Sequence, residues 1–187
     1  EGRMSTMDQI RWDALIGHAY LARNKLVDIA PHVYAPTVPN LHATPEQLAA
    51  AEDRLGHPLD PLLRELLGYA NGWPQFLWDT DWLGTDDIGQ GPRWQFGLEL
   101  IDLYYDNYDT DHLPTRDQIY PVLVSAQLDD VMVVRKDGPI TKGGHEFIWL
   151  AGEAPGERWD NALEWWLACI ELTNRGIAWY EQQAAKG

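Results

Sequence analysis

The chain is short of several things, and each shortage narrows what it can be. It has one cysteine, Cys169, so no intrachain disulfide can form, which fits a reducing, cytoplasmic setting. No apolar run approaches the ~20 residues that a membrane helix needs. The N-terminus lacks the basic stretch and apolar core of a signal peptide. Glu1-Gly2-Arg3 before Met4 reads as a cloning scar, leaving residues 4–187 as one expected domain. Basic residues are scarce, with 14 Lys and Arg against 29 Asp and Glu and a net charge of −15. Nucleic acid and anionic membrane are therefore not expected partners, because phosphate binding needs a basic footprint.

Catalytic and metal-binding patterns are also missing. GTDDIGQGP lacks the lysine of a phosphate loop, and no H-E-x-x-H occurs. His145-Glu146 would point to opposite faces of a strand. Cys169 falls on the apolar side of a helix, where a structural thiol is expected. Asp106, Asp109 and Asp111 have neither the spacing nor the glycine of a calcium loop. Glu99 and Asp102 share a helix face and read as solvated carboxylates. No enzyme activity, cofactor or metal is expected.

What is present is well organised. Thr44 can cap a helix, Pro45 fits its first position, and Gln47 completes a capping box. Leu48, Ala51 and Leu55 form its apolar stripe, and Gly56 closes it. A second helix repeats the design, with Asp60 as cap and Pro61 first. Leu63, Leu66, Leu67 and Ala70 form its buried side, and Asn71-Gly72 ends it in positive φ.

Around this pair, a long helix is expected over about 6–28, capped by Ser5 or Thr6. Residues 73–95 read as a long Gly/Asp/Trp-rich loop stapled by Trp73 and Trp94. A helix is expected over 98–105, with an irregular continuation over 106–114. Strands are expected at 120–124, 131–134 and 145–150, with Trp149 in the sheet and a turn at Asp137-Gly138. A last helix, capped by Asp160 or Asn161, is interrupted at Asn174 and Gly176. Of its neighbouring Trp165 and Trp166, one should face inward and the other the rim. Helices before and after a small antiparallel sheet give an α+β domain.

The order of these signals resembles the SUKH superfamily of bacterial immunity proteins and yeast Knr-type regulators. Glu52 stands at the family's inner glutamate, Leu55-Gly56 at its Leu-Gly pair and Asn71-Gly72 at its terminal pair. Asp60 between Leu59 and Pro61 delays the expected Leu-Pro by one residue, and leucine replaces an aromatic common in the second helix. The resemblance covers about residues 41–174. It implies a non-enzymatic immunity protein that binds and neutralises a cognate toxin. The free protein would be a monomer, and the complex a heterodimer. Alternatives are a regulatory scaffold with several partners and, further off, a hydrolase.

The expected contact region is the segment from 79 to 111. It carries Asp79, Asp81, Asp86, Asp87, Glu99, Asp102, Asp106, Asp109 and Asp111 against Arg93 alone. Such a patch steers a basic partner, for instance the phosphate-holding cleft of a nuclease or an NAD-consuming toxin. Trp78 and Trp82, flanked by Asp79 and Asp81, can be read as interface anchors or as staples of the loop. The anchor reading places Trp82 at an exposed apex. The expected toxin-binding set is Trp78, Asp79, Asp81, Trp82, Asp86, Asp87, Asp106, Asp109 and Asp111.

Overall fold

The helix pair forms as its caps dictate. In the computed structural model, which describes residues 9–125, 127, 129–152 and 156–186, α2 spans Pro45–Leu55 and follows α1 (Trp12–Ile29). The Gln47 amide donates to Thr44 Oγ1 at 3.2 Å, and the Thr44 amide donates to Gln47 Oε1 at 2.9 Å. Gly56 ends α2 at φ 73. Helix α3 spans Pro61–Leu67, and Asp60 Oδ2 accepts from the Leu63 amide at 2.9 Å.

Asp60 does more than cap. Its Oδ1 accepts from the His145 amide at 2.6 Å, and its own amide donates to the Tyr120 hydroxyl at 3.0 Å. Through its buried carboxylate and its amide, this one residue joins the helix pair to the loop at His145 and to the strand that holds Tyr120. Glu52 Oε1 accepts from the Leu59 amide and pairs with Arg64, tying α2 to α3.

The sheet has six strands in sequence order, all antiparallel. They are β1 (Trp73–Leu77), β2 (Thr80–Trp82), β3 (Ile119–Ser125), β4 (Val131–Arg135), β5 (Phe147–Leu150) and β6 (Glu157–Trp159). Helix α4 (Gly91–Asn107) crosses between β2 and β3, a single 3₁₀ turn at Arg116–Gln118 precedes β3, and α5 (Ala162–Ala184) closes the chain. The three expected strands are present, and the architecture is a single α+β domain.

Helices cover both faces. On one, Trp165 of α5 stacks on Phe147 at 4.9 Å and Trp166 on Phe76 at 4.8 Å, and α1 packs behind. On the other, Gly97 of α4 lies against Pro121 and Val124, where any side chain would collide. Among the described residues, no helix is long and apolar enough to cross a membrane.

Several expectations give way. Residues 73–82 form a hairpin rather than a loop; Pro74 and a bulge with Gln75 at φ 51 hid its alternation. Helix α4 starts at Gly91, because Pro92 suits a first turn, and runs on to Asn107. Strand β6 was not foreseen. Helix α3 stops at Leu67, and Asn71 keeps negative φ. It acts through its amide instead, accepting from the Thr85 amide at 2.7 Å, while Gly72 alone takes φ 83. Helix α5 continues through Asn174 and Gly176, since Gly176 packs near Leu26 of α1. Trp165 and Trp166 are both buried, because α5 lies between the sheet and α1. The Trp166 indole N–H donates to the Leu15 carbonyl at 3.1 Å. Helix α1 starts at Trp12; the Ser5 or Thr6 cap and the residue 1–3 scar lie outside the described residues.

Candidate protein-binding surface

Trp82 is not an exposed apex. It sits in β2, 2% exposed, opposite Leu123, with Phe76 and Trp166 against its rings at 6.1 and 5.4 Å. Strand alternation turns it inward while its neighbour Asp81 turns outward. Trp78 is half-buried at the β1–β2 turn and packs on Trp149 at 6.0 Å.

The expected aspartates fall into three groups. In the first, Arg93 partly neutralises Asp81 at 3.1 Å and Asp87 at 3.4 Å, and Asp86 lies beside them. Burial pushes the Asp87 carboxyl above the ordinary range, Arg93 opposes this, and Asp81 and Asp86 add to it. Asp81 also accepts from the Gln75 amide at 2.9 Å, so part of its role is structural.

The second group is Asp79 with two residues that sequence reasoning missed, Asp129 and Asp130. Asp79 accepts from the Ser125 hydroxyl at 3.1 and 3.2 Å. The Asp130 carboxyl is raised, first by burial and then by repulsion from Asp79 and Asp129. Among the described residues, no lysine or arginine makes a salt bridge to these three.

The third group, Asp106, Asp109 and Asp111, is exposed at the C-terminal end of α4, where Asp109 accepts from the Asp111 amide at 3.1 Å. No basic residue occupies the last turn of α4, so the negative end of the helix dipole adds to these charges. Among the described residues, no cluster here or elsewhere has the makings of a metal site. Asp102 pairs with Arg116, and Glu99 is exposed. His145 bonds Asp60, Glu146 bonds Arg158, and Cys169 is buried with its thiol pushed well up by burial.

Beside Asp129 and Asp130 lies a groove of about 510 Å³. It is lined by Leu100, Leu103, Tyr104 and Tyr108 from α4 and by Asp129 and Asp130 from the β3–β4 turn. Leu103 is 53% and Tyr108 38% exposed, and Tyr104 and Tyr108 contact each other at 4.9 Å. An apolar groove rimmed by carboxylates that form no salt bridge among the described residues can take an apolar side chain flanked by cations.

Topology explains this gathering. In a meander, the first, third and fifth connections lie at the same end of the sheet. The β1–β2 turn carrying Asp79, the β3–β4 turn carrying Asp129 and Asp130, and the β5–β6 turn carrying Gly152 therefore share one end. The signal was present in the sequence as Asp129-Asp130 between two expected strands. It needed β1 and β2, which went unread, to bring Asp79 alongside. No family model matches this chain, and no curated protein matches it.

Proposed function

We propose that this chain is an immunity protein of SUKH type that binds a cognate bacterial toxin one-to-one and occludes its basic active-site cleft. It acts in the cytoplasm, without catalysis. The observation that carries this reading is the cluster of Asp79, Asp129 and Asp130, which no lysine or arginine pairs among the described residues, with Asp129 and Asp130 beside the exposed Leu103 and Tyr108. A like-charge cluster stores repulsion that a basic partner relieves on docking, and the adjoining apolar side chains supply burial. The two capped helices, with Glu52 and Leu55-Gly56 at the end of the first and Asn71-Gly72 a few residues after the second, support the SUKH reading.

The test is co-expression with the C-terminal domain of a large secreted protein encoded beside this chain. Protection should rise with dose and saturate at equimolar amounts, and the purified pair should elute as a heterodimer. Replacing Asp79, Asp129 and Asp130 together by Asn should slow association and flatten its salt dependence. Protection at sub-stoichiometric amounts would point to an enzyme, and several partners without inhibition would point to a scaffold. Either result overturns the proposal.

A further inference from the structure

Arg23, in the middle of α1, is 2% exposed, and among the described residues no carboxylate pairs with it. Its Nε donates to the Gln75 carbonyl at 3.1 Å and its Nη2 to the Ala35 carbonyl at 3.3 Å. The guanidinium carbon lies 5.1 Å from the centre of the Tyr34 ring. Nη1 is buried and has no acceptor among the described residues. Arginine stays protonated in proteins, so this is a permanent charge, in a chain of net −15, with neither counter-ion nor full hydrogen bonding.

The backbone beside it is contorted. Gln75 and Trp78 take φ 51 and φ 54, a region uncommon for residues other than glycine and concentrated at functional sites. A pocket of about 380 Å³ opens here, lined by Arg23, Tyr34, Gln75, Trp78, Asp79 and Gln127. That size suits a small ligand. Gln75 and Gln127 are exposed, so their side chains can rotate to admit one.

We propose that this pocket binds a monocarboxylate on an aromatic body, the carboxylate taken by Arg23 Nη1 and the body lying against Trp78 and Tyr34. A monocarboxylate brings one negative charge to Arg23, which makes no salt bridge among the described residues, and adds the least charge beside Asp79. A phosphate dianion would leave excess charge facing Asp79. The planar guanidinium suits a carboxylate, and two aromatic side chains suit a flat apolar body. The ligand is either a free acid or the C-terminal residue of a peptide. The proposal does not rest on the immunity reading.

Calorimetric titration of the full chain tests it with three probes: N-acetylphenylalanine, its neutral amide, and a pentapeptide ending in a phenylalanine carboxylate. The acid should bind one-to-one and at least about tenfold more tightly than the amide. A pentapeptide matching or exceeding the acid assigns the site to peptide termini, and a weaker one assigns it to free acids. Arg23→Met should abolish binding, but it also removes two bonds that hold the fold. Gln127→Trp therefore serves as the second variant, filling the mouth from an exposed position while the melting temperature stays unchanged. Equal affinity for acid and amide, no binding at millimolar concentration, or binding that survives Gln127→Trp would overturn the proposal.

Discussion

Trp82 and Trp166 are equally buried tryptophans in one aromatic cluster, yet replacing each by phenylalanine should give different results. The change removes three ring atoms, which at ~0.8 kcal/mol per carbon costs about 2 kcal/mol of burial at either site. The indole nitrogens differ. Trp82 Nε1 is buried and finds no acceptor among the described residues, whereas Trp166 Nε1 donates to the Leu15 carbonyl at 3.1 Å. An orphaned donor costs roughly 1–3 kcal/mol, so Trp82→Phe recovers most of what it loses and should be neutral within about 1 kcal/mol. Trp166→Phe loses a made bond as well, roughly 0.5–1.5 kcal/mol, for a total near 3. The gap is about 2 kcal/mol or more, a difference of roughly 4–8 °C in melting temperature for a chain this long. Trp82→Ala, by contrast, should cost about 3–5 kcal/mol, a large share of the ~5–15 kcal/mol that holds a domain together. Urea denaturation of the three variants beside the parent measures all of these. Equal losses for the two Trp→Phe changes would show that the Trp82 nitrogen is satisfied and that the reasoning is wrong.

Asp130 has a folded-state pKa above its unfolded value, so its stabilising contribution is present below the carboxylate range and is lost as pH rises through the folded pKa. Asp130→Asn should therefore melt higher than the parent at pH 7, with the advantage fading below about pH 4; a constant difference from pH 3 to 8 would refute this. Gly84→Ala would place its new carbon on the Asn71 carbonyl oxygen, a backbone atom, and should cost about 3 kcal/mol or more. Gly17→Ala, in the middle of α1 with nothing within 4 Å of the added carbon, should stabilise by about 0.5–1 kcal/mol, and the pair can be compared by denaturant midpoint. Cys169 should resist a thiol-specific disulfide reagent in the folded protein and react fully once urea unfolds it, because burial withholds both access and thiolate.

Most of the scaffold could be read locally, because its signals act locally. Thr44, Gly56, Asp60 and Asn161 each cap or close a helix within a few residues, and the apolar runs of β3, β4 and β5 announce themselves. What escaped depended on contacts far along the chain. Hairpin β1–β2 carries a proline and a twisted Gln75 whose carbonyl answers Arg23, 52 positions earlier. Gly176 reads as a break until Leu26 is known to face it. The candidate surface was half legible. Asp79 and the acidic residues at the end of α4 stood out in the sequence, but grouping Asp129 and Asp130 with Asp79 needed the strand order. Trp82 was misplaced because its flanking aspartates suggested exposure, when alternation sends only the neighbours outward.

The strand order has a consequence for how the protein is made. Every sheet pairing joins strands consecutive in the sequence, so the sheet can assemble in order as the chain leaves the ribosome, by short closures except between β2 and β3, which α4 separates. Helix α1 emerges first, but its main partner is α5, and the bond from Trp166 to Leu15 spans 151 positions. Until α5 is synthesised, the ring faces of Phe76, Trp82 and Phe147 have no cover on that side. The nascent chain thus carries an open aromatic surface until α5 is made, the state in which it is most exposed to self-association.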